Sequence, residues 1–283
     1  MAGRDATLAR LMTLGTCVLP RTRARLTRLI TDGTASLNII SDELVRDPLL
    51  TASVLGRANL AANQPVLQPT QALLSLGFAT IEQLLSEAAE VPEPQRRPMA
   101  TCWAMGNATA VLMRTIADYR ATRLPKRPDD EVLSAIGMLH DLGTAVALLH
   151  FTPAYARASL QARSGNAAFQ AALAGELGMD SCELGGELAR SWNLPEPLAT
   201  IMAWHAKPMQ APEHLELTAL THVARGLARA LGFQPPGDAW VTPIDLTAVQ
   251  VLGLGATDLE RILNRILDDI DEMELFESMM LKS

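Results

Sequence analysis

A histidine and an aspartate adjoin at His140-Asp141, inside Gly137-Met138-Leu139-His140-Asp141-Leu142-Gly143, a segment otherwise apolar and compatible with a helix. Imidazole and carboxylate groups are costly to bury without partners, so a fold that encloses this segment must bring polar groups to it from elsewhere in the chain. Neighbouring helical residues project about 100° apart, so these two converge only on something between helices, a metal ion or a shared hydrogen-bond partner. The plainer reading gives His140 a nearby carbonyl to bond and Asp141 a cation.

The rest of the chain supplies helices to surround that segment. Of the 283 residues 48% are hydrophobic and only 4% aromatic, with Ala and Leu abundant, which suits close-packed helices and not sheets. No alternating pattern lasts long enough for a sheet, and only 239–244 is ambiguous. Helix starts are legible. Ser36 caps a helix to about Val45, with Leu37, Ile39, Ile40 and Leu44 on its apolar side, and Asp47-Pro48 caps the next, through about Leu60. Thr80-Ile81-Glu82-Gln83 and Asp180-Ser181-Cys182-Glu183 both fit the capping box. Thr152-Pro153 opens another helix. Thr257-Asp258-Leu259-Glu260 opens the last, to about Met280, with Leu259, Ile262, Leu263, Ile266, Leu267 and Ile270 as a stripe and Asp268, Asp269, Asp271, Glu272 and Glu274 opposite. That stripe serves either docking on the body or a homodimer contact. Pro and Gly mark loops at 91–98, 122–130 and 232–242.

The net charge of −7 carries no long basic run, which disfavours nucleic-acid binding; the clusters at 21–25 and 120–127 read as solvated helix ends and a loop. Cys17, Cys102 and Cys182 are odd in number and far apart, as in a reducing compartment. No run of about 18 uncharged apolar residues predicts a membrane span, and the expectation is a cytoplasmic protein.

Several patterns recur in order along residues 19–207: Leu19-Pro20, Glu43-Leu44-Val45-Arg46-Asp47-Pro48-Leu49-Leu50-Thr51, Leu55-Gly56-Arg57-Ala58-Asn59, Leu76-Gly77, Trp103, the His140-Asp141 segment, Glu183-Leu184-Gly185-Gly186-Glu187-Leu188, Trp192-Asn193-Leu194-Pro195 and Ile201-Met202-Ala203-Trp204-His205. Together they resemble the HDOD family, output-domain relatives of the HD metal phosphohydrolases found in bacterial signalling. The resemblance implies an all-α, two-lobed helical bundle with an HD-like domain. Residues 1–98 would form the N-terminal lobe, 99–231 the HD-like bundle and 232–283 a C-terminal helical extension.

An active HD enzyme gathers His and Asp ligands around one or two metals that activate water. Carried over residue by residue, His140, Asp141 and His205 remain, while Ser181 and Ala206 stand where histidines are usual and Arg225 where a closing aspartate is expected. A guanidinium there would repel a divalent cation and compensate Asp141, within salt-bridge range. The five positions His140, Asp141, Ser181, His205 and Arg225 thus read as a vestigial HD site, with no catalytic residue, metal or cofactor.

His150 reads as a helix-end residue favoured by the C-terminal dipole. His214 and His222 lie on a predicted helix, and the resemblance brings only His222 near the old site. Trp103, Trp192 and Trp204 read as core anchors. Gly185-Gly186 serves either close helix approach or a ligand cavity. Met279-Met280 either fills core gaps or lines a partner surface. The resemblance implies a non-enzymatic signalling or scaffold protein that binds protein partners, a response regulator or a cyclic-dinucleotide enzyme among them. The alternative is a residual metal-dependent phosphohydrolase or a nucleotide-binding receptor using His140, Asp141 and His205.

Overall fold

The computed structural model describes residues 2–33, 35–121, 127–238 and 243–267. Helix α1 (Ala2–Leu11) is followed by α2 (Pro20–Asp32), α3 (Leu37–Val45), α4 (Pro48–Asn59), α5 (Pro69–Leu76) and α6 (Phe78–Glu87). Two two-residue strands, β1 (Cys17–Val18) and β2 (Ala89–Glu90), pair in parallel and tie the start of this region to its end. Ser36 caps α3 by accepting from Ile39 N, and Asp47 caps α4 by accepting from Leu50 N, both as the sequence predicts. Asp47 reaches further: its second oxygen accepts from Leu19 N, so one fully buried carboxylate fastens the entry of α2 to the start of α4. Two readings fail here. Ile39 is 48% exposed, and α6 starts at Phe78 after Gly77 (φ +74°), so Thr80 lies within the helix and bonds back to Leu76 O instead of capping.

Helix α7 (Glu93–Ala121) is the spine, 29 residues or about 43 Å long. The expected loop at 91–98 is mostly its first turns. Pro94 falls where no backbone bond is lost, and Pro98 removes a single bond near the helix end. A boundary at residue 98 therefore falls inside a continuous helix. After it come α8 (Asp130–Leu139), α9 (Leu142–His150), α10 (Thr152–Arg163), α11 (Phe169–Leu177), α12 (Ser181–Ser191), α13 (Glu196–Trp204) and α14 (Leu215–Ala230). The capping box at Asp180 and Glu183 forms as expected. One apolar core runs through both regions, and α1 packs on α11 and α12, with Thr7 Oγ1 donating to Leu177 O and Arg4 paired with Glu183. The first helix thus sits on the second lobe, away from the lobe to which residues 1–98 were assigned.

The C-terminal helices α15 (Leu246–Val251) and α16 (Ala256–Leu267) close on α14 and α7. Ile262 and Ile266 are fully buried and Leu259 and Leu263 partly so, which is the docking the stripe predicts. Tyr119 Oη donates to Asp258 Oδ1 (2.6 Å), and Arg120 Nε to Leu252 O (2.8 Å). Arg120, expected at a solvated helix end, is buried and paired with Glu216 (2.5 Å). Ile270, the acidic face and Met279-Met280 lie outside the described residues, as do 122–126 and most of 239–244.

No uncharged run of the expected length occurs, but residues 130–150, with Asp141 inside them, are long and apolar enough by composition to cross a membrane. They form two core helices broken at His140-Asp141, with 83% of the most apolar window buried.

Glycines set how closely the helices of this region approach. A Cβ on Gly143 would lie 1.8 Å from Ser181 O and 2.7 Å from Gly185 N, both backbone atoms, so α9 and α12 touch backbone to backbone. A Cβ on Gly137 would lie 2.3 Å from Ala110 Cα, and one on Gly186 2.8 Å from Ala203 Cβ. Gly186 thereby takes the close-approach role. Gly143→Ala is expected to cost about 3 kcal/mol or more in urea unfolding, because neither backbone can yield. Gly175→Ala, at an exposed position of α11 where nothing lies within 4 Å, is expected to leave stability unchanged or raise it by about 0.5–1 kcal/mol.

Candidate functional site

His140 terminates α8 and Asp141 begins α9, so the pair occupies a corner between helices instead of one continuous helix. The corner faces the start of α12, the end of α13 and the middle of α14. These bring Ser181, Cys182, His205, His222 and Arg225 to the same region. His140, Ser181 and His205 are each 1% exposed and Arg225 6%.

The three imidazoles are all held in one tautomer. His140 Nδ1 lies 2.7 Å from Gly137 O, His205 Nδ1 3.2 Å from Ile201 O and His222 Nδ1 2.8 Å from His205 O. A carbonyl only accepts, so each Nδ1 carries the proton and each Nε2 presents a lone pair. His222 Nε2 accepts from Asp245 N (2.9 Å), and His205 Nε2 lies 3.6 Å from Cys182 Sγ, which can donate to it. His140 Nε2 is buried without a partner among the described residues, its ring edge-on to His205 with centroids 5.0 Å apart. Burial lowers the pKa of all three, and the positive charge of Arg225 adds to the effect; that of His140 falls to about 4 although Asp141 opposes the shift. Burial also pushes the Cys182 thiol up, so it stays protonated.

The predicted ion pair between Arg225 and Asp141 is not formed. No carboxylate among the described residues lies within 4.0 Å of Arg225, and its Nε has no hydrogen-bond partner. Asp141 is half-buried, and its Oδ1 accepts from Thr144 Oγ1 (2.6 Å) one turn on, which holds the carboxylate at the start of its own helix.

A metal centre, which the resemblance implies, was tested against these positions. Asp141 faces Thr144, His205 faces Cys182 and His222 takes a backbone amide. Among the described residues no three His, Cys, Asp or Glu side chains converge as a metal would require. The residues do not fit the group. Of the five predicted positions, the structure brings His140, His205 and Arg225 into one electrostatic cluster. Ser181 is buried at the first residue of α12 with its Oγ unpartnered, and Asp141 acts on His140 through its charge while its Oδ1 accepts from Thr144.

Other residues diverge from their readings. His150 ends α9 as expected, but burial and Arg10 lower its pKa, against the favourable dipole. His214 precedes α14 with φ +53°. Trp103 is fully buried, whereas Trp192 and Trp204 are only half-buried. Sequence reasoning missed the closure of the site. Pro235, in the segment after α14, lines with Trp103, His140 and Asp141 a cavity of about 10 Å³, the room of one water-sized sphere. Arg229 holds that segment through Asp238 (2.9 Å), and Tyr155 Oη donates to Pro236 O. The signal was present: His222, Arg225 and Arg229 share one face of an apolar helix at spacings of three and four.

A two-lobed all-helical bundle with a histidine cluster between its helices defines an HD-like module. The HDOD domain model matches residues 17–208, and the chain belongs to that family. No curated protein matches it. Among solved structures it is similar to the MmoQ response regulator of Methylococcus capsulatus, at 20% identity over 89% of this chain and 99% of that one (TM-score 0.66). An HDOD domain protein from Geobacter sulfurreducens matches at 18% identity over 99% and 98% (TM-score 0.58). A protein of Shewanella amazonensis described as a candidate phosphohydrolase matches at 22% over 98% of each chain (TM-score 0.53). At these identities the likeness is one of fold.

Imidazoles whose folded pKa lies below the ordinary 6.5 contribute stability that is complete above that value and drains as pH falls toward the folded pKa. For His140 that window runs from 6.5 to about 4 and amounts to about 3 kcal/mol. Asp47 acts in the opposite sense, since burial raises its carboxyl to about 6 and acid favours its folded form. Urea unfolding between pH 7 and 4 should show a loss of stability that His140→Gln flattens by up to about 3 kcal/mol. An unchanged slope would mean that His140 is not neutral in the fold.

Proposed function

We propose that this chain is a non-enzymatic HDOD signalling protein that binds protein partners, its HD centre a vestige without metal or cofactor. One observation supports this above all: a buried guanidinium stands among the imidazoles, and its charge opposes a divalent cation there. The partner is another signalling chain, a response regulator or a cyclic-dinucleotide enzyme, met in the cytoplasm. The net charge of −7 disfavours nucleic acid. The rival reading, a residual phosphohydrolase or nucleotide receptor, has one feature in its favour, the unpartnered Nε2 of His140.

Elemental analysis of protein purified without chelator separates the two. Iron, manganese or zinc is expected well below one equivalent, with no hydrolysis of phosphomonoester or phosphodiester probes. The double variant Ser181→His with Arg225→Asp is expected to gain metal affinity while losing stability without metal. Stoichiometric metal in the wild type, lost on His140→Ala, overturns the proposal. A purified response regulator or cyclic-dinucleotide enzyme of the same cell that binds the wild type is the expected partner; failure of every such candidate leaves the partner class wrong.

A further inference from the structure

We propose that the cavity between α7, the His140-Asp141 corner and Pro235 is a built site for one long-lived water molecule, which joins the indole of Trp103 to the imidazole of His140. Two polar atoms carry the argument. Trp103 Nε1 and His140 Nε2 are both buried with no hydrogen-bond partner among the described residues, and the two residues, each 1% exposed, line the same cavity. Ser181 Oγ and Arg225 Nε are unpartnered as well, but neither residue lines it.

The two atoms are complementary in kind. An indole N–H only donates. His140 gives its Nδ1–H to Gly137 O, so its Nε2 only accepts. A buried donor and a buried acceptor that both go unmet are costly, and one water satisfies both, accepting from Trp103 and donating to His140. Its second proton has an acceptor in Asp141, which also lines the cavity. The Oδ1 of that carboxylate is taken by Thr144, while its charge acts on the His140 ring and on the thiol of Cys102, another lining residue.

Size and charge exclude other occupants. The cavity holds about 10 Å³, the room of one water-sized sphere. Its walls are close-packed: a Cβ on Gly106, which lines it from α7, would lie 3.0 Å from Met138 O and 3.2 Å from Met138 Cα. Asp141 and Arg225 act on the His140 ring with opposite sign, which favours a neutral occupant over an ion. An apolar occupant would leave both polar atoms unmet. The water also accounts for the one feature that favours a residual hydrolase, the free Nε2 of His140.

Crystals of the full chain, grown without chelator and diffracting well enough to show ordered solvent, test it directly. A peak of water height is expected about 2.7–3.2 Å from both Trp103 Nε1 and His140 Nε2. No peak, a peak within reach of only one of the two atoms, or a direct bond from Trp103 Nε1 to a protein acceptor overturns the proposal. A metal-height peak about 2.1 Å from His140 Nε2 overturns both it and the vestigial-centre reading, so the two fail distinguishably. In solution, the Trp103 indole proton, assigned by loss of its signal in Trp103→Phe, is expected to show a cross-peak to water of opposite sign in laboratory-frame and rotating-frame Overhauser spectra, which marks a long-lived water and not proton exchange. A cross-peak that is absent, or of equal sign in both, overturns it. Should Trp103→Phe not fold, the crystals decide.

Discussion

Backbone contact between α9 and α12 at Gly143 is the constraint on which the centre of this protein depends. With no Cβ between them, the Ser181 carbonyl lies against Gly143, two residues after Asp141. The close approaches at Gly137 and Gly186 extend the same tightness to α7 and α13. The outcome is a histidine cluster enclosed by closely packed helices. Pro235 covers what room remains, under a segment pinned by a buried ion pair.

Much of the fold was legible because helix starts are local chemistry. Ser36, Asp47, Asp180 and Thr152-Pro153 each mark a start within a few residues, and the stripe of α16 announced its own burial. The failures were also physical. Thr80 and Gln83 satisfy a capping box in sequence, yet Gly77 with its positive φ begins the helix three residues sooner and leaves Thr80 to bond backward. Prolines at 92, 94 and 98 together with lapsed apolar periodicity read as loop, although the first turns of a helix tolerate a missing amide and Pro98 costs α7 a single bond. Where α1 packs is a tertiary fact, with Thr7 and Leu177 separated by 170 residues.

The site was half legible. The expected cluster forms around His140, His205 and Arg225, but pairing Arg225 with Asp141 assumed that opposite charges near one centre must meet. Asp141 instead answers a nearer claim, the hydroxyl of Thr144 one turn along its own helix. A local bond costs little chain entropy to form, whereas a bond between helices demands that both side chains be ordered across the interface. Cys182 and Asp245, which complete the hydrogen bonding of His205 and His222, carried no sequence signal beyond their identity.

Those two completions tie the C-terminal region to the centre. Asp245 starts α15 and donates its amide to His222 Nε2; His222 in turn bonds the carbonyl of His205, whose ring meets His140 and Cys182. Displacing α15 removes that amide and strands a largely buried lone pair, at a cost of about 1–3 kcal/mol. The same displacement pulls on Leu252, the acceptor for Arg120 near the far end of α7. Position of the C-terminal helices and the histidine cluster are therefore linked through one imidazole, that of His222. A partner that binds α15 or α16 differently in two arrangements would act on the centre with no more than that coupling energy.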